Sequence, residues 1–334
     1  MGNRVKIVSM GKYLPERVVK AEDFEKEHGI DEGFSINMSG VAERHFANEK
    51  ETCSYMGARA LEKALEKAGM KYEDLDVIVG ASGSYDHPIP YNACLIQKEM
   101  GKEESGTPCW DVDSTCLSFV TAFDVVSYMI EAGRYKNVAI VSSEIASKSL
   151  NPKERESATL LGDGAVAMIL TKTPENEPSM IIASEMQTFS KGAFHTSVKG
   201  GGNVIHPNDP NSNPEDFTFN MKGRAILEMS FELIPKFLEK LFTQAQVHPK
   251  MLDLFVPHQA SKFALLKGKE LLCMIGMKES AFVDVLEKHG NCIAASIPIA
   301  LHDALEEGKV ERGGKVALVG TAAGLSLGGI ILVY

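Results

Sequence analysis

The sequence predicts an α/β protein made of two related halves, each a sheet with helices on both faces. Three observations predict it. The same order of elements occurs twice along the chain. The strands of both copies are continuous apolar runs, as in sheets buried on both sides. Each copy closes on a Gly-punctuated apolar strand. A chain of 334 residues is long enough for two halves with large cores.

The elements follow in order. Val5-Lys6-Ile7-Val8 is a short opening strand, with no secretory signal before it. Ala60 to Ala68 alternates apolar and charged residues at helical spacing, and Asp74 to Ser82 then carries a buried strand into a small-residue turn. The second copy has a helix at Phe237 to Phe242 and a strand from Leu252 into Pro257-His258-Gln259-Ala260-Ser261. Each copy continues with an apolar helix and a strand, Val138-Ala139-Ile140-Val141 in one and Val316-Ala317-Leu318-Val319 in the other. The closing strands are Gly162 to Leu170 and Gly324 to Leu332. The division falls between residues 1–172 and 173–334. Gly200 to Phe217, rich in Gly, Asn and Pro, is the one long loop.

Composition narrows the function classes. Apolar residues make up 44% and charged residues 24%, as in ordinary globular proteins. A formal net charge of −10 argues against general nucleic-acid binding. No apolar run reaches membrane-spanning length, so no membrane partner is expected. The six cysteines contain no Cys-x-x-Cys pair, which suggests neither a metal site nor a disulfide framework. Cys53, Cys94, Cys109, Cys273 and Cys292 read as structural thiols of a reducing cytoplasm.

Cys116 stands apart. It lies in Asp113-Ser114-Thr115-Cys116-Leu117-Ser118, before the apolar helix Thr121 to Ile130. A thiol there faces free backbone N–H groups and the positive end of the helix dipole, so its pKa is expected to fall below about 8.5. A small buried hydrophobe is the competing reading. The duplication places strand ends and helix starts of both halves near a common axis, where Cys116, His258 and Asn291 would meet. Taken singly, His258 also reads as a hydrogen-bonded loop residue, and Asn291 as the cap of a helix from Ala294. His45, His87, His195, His206, His248, His289 and His302 read as structural. Gly162-Asp163-Gly164 is a turn, since no helix opens behind it for a phosphate cradle, and Asp163 carries no catalytic assignment.

The ordered set Cys116, Val256-Pro257-His258-Gln259-Ala260 and Gly290-Asn291-Cys292-Ile293-Ala294-Ala295 resembles the β-ketoacyl-acyl-carrier-protein synthase III family of the thiolase superfamily. Tyr13-Leu14-Pro15-Glu16, Glu43-Arg44-His45 and Leu161-Gly162-Asp163-Gly164-Ala165 extend the resemblance over nearly the whole chain. It implies a five-layered α/β/α/β/α fold and a homodimer. It implies that Cys116 takes an acyl group, and that His258 and Asn291 stabilise the enolate of a decarboxylating malonyl thioester. The oxyanion donors would be the N–H groups of Cys116 and Ala323, which requires a negative φ at Ala323. Acyl-CoA or acyl-carrier-protein thioesters would be substrates and partners, with no cofactor and no metal.

Departures from the family pattern bear on the substrate. Phe34 stands for an adenine-stacking Trp, Met38 for an Arg, and Arg155 keeps the other side of the clamp. Leu117 puts a branched side chain beside the nucleophile. Ile89 stands for the Phe that crosses into the partner's acyl pocket, and a smaller gate leaves room for a longer or branched acyl chain. Phe263 replaces an Arg of the carrier-docking helix, leaving Lys262 and Lys269 on one face to meet an acidic carrier. The expectation is a specialised decarboxylating condensing enzyme. The alternatives are a non-decarboxylating Claisen condensation or acyl transfer in secondary metabolism or olefin synthesis, and a degenerate partner subunit of a heterodimer.

Overall fold

The computed structural model describes residues 2–334. The first half contains β1 (Val5–Tyr13), β2 (Arg17–Lys20), α1 (Ala21–His28), β3 (Glu43–Phe46), α2 (Cys53–Ala68), β4 (Val77–Ala81), α3 (Asn92–Glu99), β5 (Cys109–Val112), α4 (Ser118–Glu131), β6 (Asn137–Glu144), α5 (Arg155–Ala158) and β7 (Gly164–Lys172). The second contains β8 (Met180–Thr188), β9 (Thr196–Ser197), β10 (Asn220–Met221), α6 (Gly223–Ala245), β11 (Leu254–Pro257), α7 (Lys262–Met274), α8 (Leu286–His289), α9 (Ser296–Glu306), β12 (Lys315–Ala322) and β13 (Ser326–Val333).

Local chemistry explains where the main helices begin and end. Thr52 accepts the Tyr55 N–H at 3.2 Å and opens α2, and Gly69, with φ of 63°, closes it. Ser261 accepts the Ala264 N–H and opens α7. The second-half helix is longer than the spacing predicts. It begins at Gly223 and runs through Pro235, and its buried residues lie at Phe237, Leu238, Leu241, Phe242 and Ala245. Before Pro235 no residue is fully buried, and Leu233 and Ile234 pack only in part against the core of the second half.

Two sheets form the layers. The first has the order β1-β7-β6-β4-β5, and the second β11-β12-β13-β8. In both, the parallel pairs lie on one side of the order and the antiparallel pairs on the other. Leu61, Ala64 and Ile96 of α2 and α3 cover the first sheet at Ile78, Ala139 and Ala165. Phe237, Leu241 and Leu272 of α6 and α7 cover the second at Phe255, Ala317 and Ile331. Between the sheets lie α4 and α9, burying Phe119, Phe123, Ile297 and Leu301 among strand residues of both halves. The result is α/β/α/β/α, the thiolase-like architecture. The second sheet lacks a counterpart of β5. A single parallel bridge between Phe255 and Phe282 takes its place, with the Val283 N–H donating to the Phe255 carbonyl at 2.9 Å. No helix among the described residues is long and apolar enough to cross a membrane.

Candidate active site

Cys116 lies in a 3₁₀ turn, Thr115–Leu117, between β5 and α4. Thr115 has φ of 50°, a left-handed conformation costly for a β-branched residue. Ser118 holds the turn by donating from Oγ to the Thr115 carbonyl at 2.7 Å and accepting the Ser114 N–H at 2.9 Å. Leu117 is buried and anchors it from behind. The N–H groups of Cys116 and Ala323 both point to the Cys116 sulfur. Ala323 is not among the residues with positive φ.

The expected fall in the thiol pKa does not occur. Burial pushes Cys116 up to about 12, and the negative charge of Glu144 adds to the rise. The two N–H groups act in the opposite direction and are outweighed. Here the thiol packs against the central apolar core, with a carboxylate at its back.

His258 follows β11 and is buried, with its N–H bonded to the Val319 carbonyl at 2.8 Å. Desolvation lowers its pKa to about 4, so the imidazole is neutral at physiological pH. Nδ1 is buried without a partner. A proton on Nδ1 would be an unsatisfied buried donor, which favours the tautomer carrying it on Nε2. Asn291 follows Gly290, whose φ of 66° and 2.6 Å approach to the Leu160 carbonyl leave no room for a Cβ. Asn291 Oδ1 accepts the Ile293 N–H at 2.9 Å and the Ser296 hydroxyl at 3.3 Å. With the oxygen occupied, the amide presents its Nδ2–H₂ to the site, where it donates weakly to the Ala260 carbonyl at 3.5 Å. The N-cap of the turn Ile293–Ala295 is Cys292 rather than Asn291, and the bond from the Ile293 N–H to Asn291 Oδ1 is what aims the amide donor.

Gly320 of β12 brings these pieces together. A Cβ there would lie 3.1 Å from His258 Cβ, Leu117 Cδ2 and Ile297 Cδ1. A side chain there would press on all three, where the Cys116 turn, the His258 loop and α9 converge on that strand. The Cys116 turn thus packs against β12 and the Ile293–Ala295 turn, and Asn291 reaches Ala260 in the loop after His258, so the thiol, the neutral imidazole and the oriented amide lie on neighbouring segments.

Comparison with known proteins agrees. The family model of 3-Oxoacyl-[acyl-carrier-protein (ACP)] synthase III matches residues 110–190, and that of its C terminal matches residues 242–334. A β-ketoacyl-[acyl-carrier-protein] synthase III of Aquifex aeolicus is 31% identical over 329 residues, covering 98% of this chain and 99% of its own length. The chain belongs to the β-ketoacyl-[acyl-carrier-protein] synthase III family. A crystal structure of 3-oxoacyl-[acyl-carrier-protein] synthase III from Aquifex aeolicus superposes with a TM-score of 0.87 at 29% identity, covering 99% of this chain and all 100% of that one. OleA of Xanthomonas campestris shares the fold, with a TM-score of 0.84 at 20% identity, covering 100% of this chain and 97% of its own. This synthase III relative is a condensing enzyme of the thiolase superfamily, an acyltransferase.

The peripheral residues are placed as follows. Phe34 packs with Leu150 against a small cluster around Phe24 and Phe46. Arg155 pairs with Asp31 at 3.3 Å, on the same side of the molecule as Phe34. Ile89 is 87% exposed in the single chain, on the loop between β4 and α3. Lys262 donates to the Ile36 and Asn37 carbonyls at 3.1 and 3.4 Å, and Lys269 pairs with Glu279 at 2.7 Å. Both docking lysines are thus engaged within the chain. Asp163 is a brace, accepting the N–H groups of Ala47 and Ser147, each at 2.8 Å.

A cavity of about 600 Å³ opens onto His258. Its mouth lies between Met38, Arg224, Lys262 and Phe263, and its inner end meets Val319, Gly320 and Thr321. A branch runs between α6 and α7, lined by Ile234, Phe237, Leu238, Leu271, Leu272 and Phe282. Phe34, Arg155, Ile89 and Leu117 are not part of this lining. A separate hollow of about 380 Å³ at Tyr72, Glu73 and Lys102 meets none of the site residues.

The sequence reading missed this cavity, whose walls come from helix faces that resemble ordinary core. It also missed Glu144. That carboxyl is fully buried at the end of β6, and its oxygens accept the Gly83 and Ser84 N–H groups at 2.7 and 2.8 Å. A signal was present: Glu144 is the sole charge closing the strand Val138 to Ser143, at a strand end that faces the site.

Proposed function

We propose that the chain transfers an acyl group from a thioester to Cys116 and condenses it with a malonyl thioester by decarboxylation, giving a β-ketoacyl thioester. The observation that carries this reading is that His258 is neutral and that the Asn291 amide is held by its oxygen, which leaves each of them an N–H to donate. An enolate needs donors rather than a base. A neutral imidazole with its proton on Nε2 and an amide held by its oxygen supply two. The Cys116 sulfur attacks the acyl carbonyl, and the thiol of CoA or a carrier protein leaves with the proton. The malonyl carboxylate departs as CO₂, and its electron pair becomes the enolate. The enolate carbon attacks the acyl-Cys116 carbonyl, whose oxygen is met by the Cys116 and Ala323 N–H groups. Collapse expels the Cys116 thiolate, which is reprotonated.

The enzyme works in this reading as a cytoplasmic homodimer, with Ile89 of each chain reaching the other's acyl pocket. Its exposure in the single chain supports that contact. The acyl chain is longer or more branched than acetyl, since Ile89 is smaller than Phe and the cavity at His258 has apolar walls. Phe34 and Arg155 flank a CoA nucleotide, and Lys262 and Lys269 lie on the face toward a carrier protein. No cofactor takes part.

The test is mass spectrometry of the intact protein with a panel of acyl-CoA and acyl-carrier thioesters, followed by malonyl thioester and measurement of released CO₂. Acylation at Cys116 with CO₂ release in step with product supports the reading. Condensation of two acyl thioesters without malonyl would replace it by the non-decarboxylating reaction.

A further inference from the structure

Two turns in this molecule have the same unusual build. Thr115 and Ile293, with φ of 50° and 48°, each open a 3₁₀ turn that runs into an apolar helix between the sheets. In the first turn the next residue is Cys116, and its N–H faces the sulfur. In the second the next residue is Ala294, and its N–H faces the carboxylate of Glu144. Glu144 also accepts the N–H groups of Gly83 and Ser84 and the Ser84 hydroxyl. A Cβ on Gly83 would lie 3.6 Å from Thr115 Cα, 3.8 Å from Glu144 Oε1 and 3.5 Å from Ile293 Cγ2. One fully buried carboxyl thus sits where the two turns and the β4–α3 loop meet.

We infer that Glu144 is a positioning residue for the nucleophile: it fixes the Cys116 turn against the Asn291 turn, and its carboxylate and a Cys116 thiolate exclude one another. The inference rests on Cys116 being the nucleophile, as proposed above. The two groups form a coupled pair of acids in a low-dielectric site, so that near neutral pH the pair holds at most one negative charge. Burial raises Glu144 to about 7 even with its hydrogen bonds, and its charge in turn raises Cys116. The other groups facing the pair are known. Cys53 and Cys292 face Glu144 and are pushed well up by burial, Asp113 faces Cys116, Asp86 and Asp163 face Cys53, and Lys12 faces Cys292. The nearest charges to the thiol are therefore acidic.

The experiment is the pH dependence of Cys116 alkylation by iodoacetamide, read at the Cys116 peptide by mass spectrometry. It needs no condensation, so failure of the decarboxylative reading would leave it interpretable. Glu144→Gln should lower the midpoint by about one unit or more, which raises the rate at pH 8 by about tenfold per unit. Glu144→Asp, which keeps the charge, should stay near the wild-type midpoint. A purely structural role would lower stability and leave the midpoint of both variants unmoved, and that result overturns the inference. Should Glu144→Gln fail to fold, infrared spectroscopy of the wild-type chain labelled at glutamate decides. A buried protonated carboxyl that ionises near pH 7 supports the pair, and one already ionised at pH 5 overturns it.

Discussion

The two helix-start turns of the central layer share one backbone build and differ in what surrounds them. The first carries Cys116, the nucleophile of the proposed reaction. The second, at Ala294, is closed by the Glu144 carboxylate, and Asn291, two residues before the turn, carries the proposed donor. Even the cysteines differ accordingly. Cys292 is buried, with its thiol donating to the His289 carbonyl at 3.4 Å, whereas the Cys116 sulfur faces two N–H groups. The comparison teaches that backbone geometry alone does not make a nucleophile. What fills the space in front of the turn decides.

The largest effect should come from exchanging the roles of these cysteines. Cys116→Ala is expected to abolish acylation, while Cys292→Ala should retain it. Intact-protein mass spectrometry with an acyl thioester checks both. Normal labelling in the Cys116→Ala protein would end the assignment.

The donor arm of the second turn comes next. Asn291→Ala should still accept an acyl group on Cys116 but should lose decarboxylation by on the order of 10²–10³. CO₂ release from malonyl thioester at the wild-type rate would show that the second turn contributes no enolate donor.

How much of this contrast was legible beforehand follows from what each feature depends on. The layered fold was readable, because apolar runs and glycines encode its strands and helices locally. The thiol's protonation was not. It depends first on burial in the folded core and then on Glu144, which lies 28 positions away in sequence. The α6–α7 branch of the cavity was hidden for a related reason. Phe237 and Leu238 look the same in sequence whether they fill a core or line a space. Lys262 and Lys269 looked free on one helix face, because their partners at Ile36, Asn37 and Glu279 come from other segments.

That cavity gives the third test. Ile234→Trp should fill the branch between α6 and α7 without touching either turn. If a substrate chain lies there, excluding two methylenes costs roughly 0.8 kcal/mol each, on the order of tenfold in preference for long over short chains. Competition of acetyl with long-chain thioesters for Cys116 reads it, and an unchanged preference would remove the branch from the substrate path.

The buried titratable groups of the two halves should move stability in opposite senses with pH. His258 has its folded pKa depressed from 6.5 to about 4. Between these values the unfolded chain binds a proton that the folded chain refuses, so stability falls as pH drops through that window, by about 3 kcal/mol from this group. Glu144 is raised from 4.5 to about 7, so its contribution falls as pH rises through that window and is constant above it. Chemical denaturation should show a shallower acid loss in His258→Asn than in wild type. Parallel curves would mean that His258 is solvated in the folded chain.

The smallest effect separates aiming from donating. Ser296 Oγ lies 3.3 Å from Asn291 Oδ1 and shares that oxygen with the Ile293 N–H at 2.9 Å. Ser296→Ala removes the longer of the two bonds and leaves the backbone bond in place. A hydrogen bond of this kind is worth about 0.5–1.5 kcal/mol, so decarboxylation should slow by less than about tenfold while acylation of Cys116 is untouched. A loss as large as that of Asn291→Ala would mean that the hydroxyl, rather than the helix-start N–H, holds the amide. The second turn would then owe its function to a side chain, and its likeness to the Cys116 turn, where Ser118 stands two residues after the cysteine and Ser296 two after Ala294, would extend to the hydroxyl as well.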